Sequence, residues 1–182
     1  ELRQTQPDAR LQQSWVPYDR ISLHLKRAII AAEDAKFVDH EGFDWDGIQK
    51  AIEKNQKKGR YVAGGSTISQ QLAKNLFLTP TKSYFRKAEE AVITLLLEQF
   101  WSKRRIFEVY LNVIEWGNGV FGAEAAARHY YAQSAAQLGP EAAAKLAGMV
   151  PNPRYYDRHR GAPGLARKAA IILARMPAAE IP

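Results

Sequence analysis

Two carboxylates, an aromatic ring, an imidazole and a glycine crowd the stretch Ala32 to Gly42, AEDAKFVDHEG. Glu33 and Asp34 fall at the C-terminal end of an expected helix, where the macrodipole disfavours negative charge and raises a carboxyl group's affinity for a proton. That suits a proton-transferring group better than it suits stability. Solvated terminal residues paired with Lys36 or Lys26 account for the same pattern.

A second cluster runs from Arg60 to Asn75, RYVAGGSTISQQLAKN, a Gly-Gly loop feeding a helix whose entry, Thr67-x-x-Gln70, has the form of a capping box. Ile68, Leu72 and Leu76 make the expected buried stripe, while Thr67, Gln71 and Lys74 fall on another face. Hydroxyl, amide and ammonium together suit phosphate or sugar oxygens, and Gly64 and Gly65 add backbone N–H groups at a helix N-terminus. No Gly-Lys-Ser/Thr follows at P-loop spacing. An ordinary N-capped surface helix explains the stretch equally well. A third cluster, Arg86, Lys87 and Glu90, reads either as a helical ion pair worth a few tenths of a kcal/mol or as an acid set into an apolar helix for a purpose. Glu90 stands just before ITLLL, where a carboxylate is partly desolvated.

The elements that must position these groups are helices. Ser22 can cap the first, with Leu25, Ile29 and Ala32 on its buried face. Asp44 can cap a second, carrying Trp45, Ile48 and Ile52 and running out at Gly59. Thr79-Pro80 ends the third, and a long fourth runs from about Ser83 to Trp101, with Val92, Leu95 and Leu96 expected in the core. Ser102 caps the next, which is expected to continue to Trp116 and stop at Gly117. An alanine-rich helix from Ala123 to Tyr131, one opened by Pro140 and a last one from Leu165 to Met176 complete the set, the last burying Leu165, Ile172 and Met176. Strand signal is confined to Arg60 to Val62, and no repeat of 20 to 50 residues is present. The class is all-α.

At 182 residues, 46% hydrophobic and 25% charged, the chain suffices for one buried core and is not disordered. A net charge of +7 points to an anionic partner: nucleic acid, an acidic membrane surface or a phosphorylated substrate. The lack of cysteine removes thiolate zinc sites and cysteine nucleophiles without choosing a compartment. No run of about 18 apolar residues occurs. Residues 1–17 read as a linker, ordered only near Trp15 and Tyr18, and the start at Glu1 is expected to follow a missing N-terminal signal or membrane anchor. Residues 18–177 form the expected functional domain and 178–182 a tail.

In this order the motifs resemble those of the peptidoglycan glycosyltransferases, the lysozyme-like transferase domain of bifunctional penicillin-binding proteins and of monofunctional biosynthetic transglycosylases. Glu33-Asp34-x-x-Phe37-x-x-His40-x-Gly42 matches the first family motif and Gly64-Gly-Ser66-Thr67-Ile-Ser-Gln70-Gln71-Leu-x-Lys74-Asn75 the second. Arg86-Lys87-x-x-Glu90 matches the third and Lys103-x-x-Ile-x-Glu108-x-Tyr-Leu-Asn112 the fourth. Ser69 stands where the family more often has Thr, Phe107 where it usually has Leu, and Lys168, in the fifth motif, where Arg is more usual.

The resemblance implies a lysozyme-like helical lobe with a smaller jaw lobe, about 45–85, that lies on the membrane through Trp45, Tyr61, Phe77 and Tyr84. It implies polymerisation of lipid II with inversion and release of polyprenyl pyrophosphate, on the extracytoplasmic face of the bacterial inner membrane. Glu33 becomes the base for the acceptor's 4-hydroxyl. Lys74, Arg86 and Lys87, with Thr67 and Gln71, take the donor pyrophosphate. Glu90, the second family glutamate, orients those cations or holds a divalent metal such as Mg2+. Asp34, Phe37 and His40 shape the first turn and touch sugar, and Gly64, Ser66, Gln70, Asn75, Glu108 and Asn112 join the substrate-binding set. Lipid II, the growing glycan strand, the membrane surface and other cell-wall synthesis proteins are the expected partners, and nucleic acid is not. A lysozyme-like enzyme cleaving finished peptidoglycan and a non-enzymatic basic module are the rival readings.

Overall fold

In the computed structural model, residues 11–59, 65–78 and 84–182 are described, apart from the side chain of Tyr84. The strand expected at Arg60 to Val62 lies outside them. Nine α-helices are present among the described residues: α1 (Leu23–Glu33), α2 (Trp45–Lys58), α3 (Ile68–Phe77), α4 (Tyr84–Phe100), α5 (Lys103–Val113), α6 (Ala123–Tyr131), α7 (Pro140–Met149), α8 (Pro153–Arg158) and α9 (Pro163–Arg175). The all-α reading holds.

Local chemistry starts most of these helices where the sequence marks them. Ser22, Asp44, Thr67 and Ser102 each accept a backbone N–H of the first turn, and Pro140 opens α7. The helix from Lys103 is shorter than expected and ends at Val113. Trp116 lies instead in a strand, fully buried, with its indole N–H donating to the Leu146 carbonyl at 3.0 Å. That strand, β2 (Glu115–Gly117), pairs antiparallel with β3 (Val120–Phe121), and β3 pairs in parallel with β1 (Gln12–Gln13), in the order β1-β3-β2. Elements of two or three residues carry no period to read.

α1 packs against α7 and, less extensively, α9, which also pack on each other, while α3 lies across α4 and α5. One core joins these groups, and an aromatic cluster marks its middle. Phe107 is fully buried and meets Phe37 at 5.6 Å between ring centroids, Tyr18 at 6.2 Å and Tyr110 at 6.5 Å. Three separate stretches of chain therefore converge on one ring.

The largest departure from expectation concerns α4. Val92, Leu95 and Leu96, expected in the core, are 57%, 54% and 50% exposed. The buried residues are Glu90, Thr94 and Leu97, whose i, i+4, i+7 spacing defines the opposite stripe. ITLLL is apolar on several faces, so hydrophobicity alone does not choose one. The inward polar groups are satisfied, since Lys87 donates to Glu90 and the Thr94 hydroxyl donates to the Glu90 carbonyl at 2.7 Å. Leu76 of α3, expected in the buried stripe, is likewise exposed, and so are Trp45 and Ile52 of α2.

Removing the shared ring should loosen all three stretches at once. Phe107→Ala is expected to lower unfolding free energy by about 3–5 kcal/mol, and Phe107→Leu, the more usual family residue, by less, about 1–2 kcal/mol. Urea titration followed by circular dichroism checks both, and a Leu variant as stable as the wild type would show the ring contacts to be dispensable.

Candidate active site

Glu33 is the last residue of α1 and Asp34 its C-cap. They line one wall of a cleft of about 370 Å³, whose other walls include Asp44, Ser66, Thr67 and Arg175. Glu33 is half-buried, and its carboxyl is pushed above its ordinary value, first by burial. A hydrogen bond from the Gln71 amide, at 2.9 Å, and the positive charges of Lys168 and Lys74 act the other way, while Asp34 adds to the rise. The expected direction holds, and desolvation is its main cause.

Asp34 is buried and fully engaged. His40 Nε2 lies 2.9 and 3.0 Å from its two oxygens, and the Ile68 N–H, the first of α3, donates to Oδ2 at 3.0 Å. The Gly42 N–H donates to His40 Nδ1 at 3.1 Å, so the neutral ring carries its proton on Nε2 and donates to Asp34. The Thr67 hydroxyl donates to the Gly42 carbonyl at 2.6 Å. Gly42 has φ +90°, and a Cβ there would lie 2.8 Å from Thr94 Cγ2, so glycine alone fits. The first motif is thus folded onto the start of the second.

That use of atoms gives several residues of the expected binding set partners within the protein. Phe37 is fully buried in the aromatic cluster, with Lys103 Nζ 4.6 Å from its ring centre. Thr67, on the cleft wall, is also the buried N-cap of α3, while Lys74 is exposed. Gln70 is the buried partner in the same capping box, accepting the Thr67 N–H at 3.0 Å. Asn112 is wholly buried, accepting the Val16 N–H and donating to the Val16 and Glu108 carbonyls. Glu108 accepts the Tyr18 N–H and pairs with Arg105. These last two hold the N-terminal segment against α5.

Gln71 reaches Glu33, while Ser66, Lys74 and Asn75 are exposed. Gly64 lies outside the described residues. Arg86 and Lys87 stand in the first turn of α4, with Lys87 paired to the buried Glu90. A further carboxylate of α4, the partly buried Glu98, accepts from Ser69 of α3 and Lys103 of α5, so three helices meet on it. Glu90 makes a poor metal ligand here: its carboxylate is already paired, and no three His, Cys, Asp or Glu side chains among the described residues are placed to hold an ion.

Sequence reasoning missed Tyr110, Arg175 and the charge of Lys168 at Glu33. Tyr110 falls three residues after Phe107, on a face that reads as core. Arg175 and Lys168 come from the last helix, and no local pattern reports that α9 returns to α1.

The family model described as transglycosylase matches residues 1–177. The biosynthetic peptidoglycan transglycosylase of Dechloromonas aromatica (strain RCB) is 85% identical over 182 residues, all of this chain and 79% of the relative. The enzymes of the same name from Methylobacillus flagellatus and Chromobacterium violaceum are 72% and 67% identical over 181 residues, again covering 79% of each relative. On a match of this extent, the chain belongs to the transglycosylase family.

Proposed function

We propose that the cleft beside Glu33 joins lipid II units into β-1,4-linked glycan strands, the chain being by family a peptidoglycan glycosyltransferase acting at the cell envelope. One observation carries this reading: a half-buried carboxyl with raised proton affinity lies on a cleft wall within the field of Lys74 and Lys168. The acceptor's 4-hydroxyl oxygen attacks the donor's anomeric carbon and the bond from that carbon to the pyrophosphate breaks. Pyrophosphate departs with the electron pair, and the hydroxyl proton passes to Glu33. A single displacement of an α-linked leaving group gives the β-linkage.

The leaving group gains negative charge, which Lys74, Arg86 and Lys87 are suited to meet. Glu90 serves as the fixed anchor of Lys87, shielded from the phosphates by its burial. Asp34 and His40 act by holding the turn that carries Glu33, and Ser66 and Asn75 remain open to substrate.

The substrate's lipid suggests how the molecule sits. Phe85, Val92, Leu96 and Phe100 form one exposed stripe along α4, and Phe77 and Leu78 join Phe85 and Val92 in an apolar groove of about 510 Å³. We place this face on the outer surface of the inner membrane, extending the jaw lobe expected for about 45–85 along α4. Trp45, exposed and stacked on Phe43, belongs to the same lobe. No helix among the described residues is long and apolar enough to cross a membrane.

Polymerisation of labelled lipid II, resolved by chain length, tests the chemistry. The wild type should build strands, with an acid limb in its pH profile set by Glu33 above the ordinary 4.5. Glu33→Gln should build none, and Glu90→Gln should be slowed but active; fragments released from finished peptidoglycan, with no growth from lipid II, would favour the lysozyme-like alternative. The raised pKa also has a stability sign. Folding favours the protonated acid, so Glu33 contributes stability below its unfolded pKa that is lost as pH rises through the folded one. Glu33→Gln is therefore expected to melt no lower than the wild type at pH 7.5, with the wild type gaining relative to it at pH 4.

The membrane placement has its own test. Phe85→Ser combined with Phe100→Ser should leave circular dichroism unchanged and weaken binding to phosphatidylglycerol vesicles by at least about tenfold. Unaltered flotation with those vesicles would remove the α4 stripe as the contact face.

A further inference from the structure

Tyr110 is fully buried on α5, and its ring lies against Phe107. Its hydroxyl donates to Gln71 Oε1 at 2.9 Å, and Gln71 Nε2 donates to Glu33 Oε2 at 2.9 Å. Two hydrogen bonds thus connect a core phenol to the carboxyl at the cleft. An amide can present either end to a neighbour. Were Gln71 turned over, its carbonyl oxygen would face the Glu33 carboxylate oxygen to oxygen, and the amide nitrogen would donate to a hydroxyl whose own proton then loses its acceptor. While Glu33 is ionised, the chain has one sensible direction: from Tyr110, through Gln71, to Glu33.

We propose that Tyr110 is a positioning residue for the transfer reaction: its hydroxyl fixes the Gln71 amide so that the NH2 group faces Glu33 and keeps that carboxylate aimed and ionised. The proposal rests on the reading of Glu33 as base. It accounts for a phenol placed where it cannot titrate, since burial, then the charges of Glu33 and Asp34, push its pKa well up. It also gives Gln71 a function at the carboxyl. The amide hydrogen bond is the foremost influence opposing the burial of Glu33, ahead of Lys168 on α9 and Lys74 on α3. Asp34 acts in the other direction, and Arg175 lines the same cleft.

The direct measurement is an NMR titration of the side-chain carboxyl in protein made with 13C-labelled glutamate, the Glu33 signal being identified by its loss in Glu33→Gln. Tyr110→Phe, which keeps the ring, is expected to raise the Glu33 midpoint by about half a pH unit or more, and Gln71→Met by at least as much. In the Gln71→Met background, Tyr110→Phe should add nothing, because the hydroxyl acts only through the amide. A midpoint unmoved by Tyr110→Phe, or a shift that persists without Gln71, would overturn the proposal. In lipid II polymerisation, the acid limb of kcat should move up with the titration midpoint while KM stays put. A wild type that fails to polymerise lipid II would sink the enzymatic reading, yet the titration would still decide whether Tyr110 governs Glu33.

Discussion

The buried carboxylate of Asp34 holds together two parts of the chain that hydrophobic packing alone would leave free to slide. It takes hydrogen bonds from His40, six residues on, and from the first backbone N–H of α3, 34 residues on. A charge taken out of water is costly unless its lone pairs are met, and here they are met from both stretches. The positive end of the α3 dipole adds to that compensation. Because Glu33 immediately precedes Asp34 and Gln71 lies one turn into α3, the same bonds fix the distance from carboxyl to amide. The geometry of the candidate base thus depends on a neighbour that itself faces inward.

Around that fixed point, burial and charge are set against each other at Glu33. Desolvation raises its proton affinity, and a neutral donor together with two lysines limits the rise. A base that gives up its proton near neutrality needs such a balance, since a fully solvated carboxylate is too weak and an isolated buried one stays protonated. The cost appears in folding: an ionised acid in that site destabilises the native state at working pH. A site tuned by opposed terms is also sensitive to either being removed, which makes the donor side of the balance informative.

The helices, their caps and the order of the motifs were legible because each is written within a few residues: Ser22, Asp44, Thr67 and Ser102 cap where they stand, and Pro140 opens its helix. Glu33 and Asp34 were legible as a pair at a helix end. Their different fates were not, since what separates a cleft-facing acid from a buried hub is the partner that α3 brings to each. Phe37, Gln70 and Asn112 sit in functional motifs and are spent on structure. A motif records that a residue type is required, without saying whether substrate or scaffold requires it. Arg175 and Lys168 enter through tertiary return of the last helix, and β1 through pairing with β3 about a hundred residues further on, while β2 and β3 pair locally but are too short to show a period.

α4 shows how such a choice of face is made. Its sequence offers Val92, Leu95 and Leu96 for one side and Glu90, Thr94 and Leu97 for the other, and burial of apolar area alone favours the first. What decides for the second is that its polar groups find partners inside: Glu90 has Lys87, and Thr94 has the carbonyl one turn back. Gly42 packs directly on Thr94, and Glu98, on the flank of that stripe, takes Ser69 and Lys103. The inner face of α4 therefore meets the first motif, the second and the start of α5 through specific contacts, which the leucines would not supply. Turning those leucines outward leaves an apolar stripe that water does not reward. The same rotation that completes the polar interior thus puts Phe85, Val92, Leu96 and Phe100 together on the exposed side of the helix.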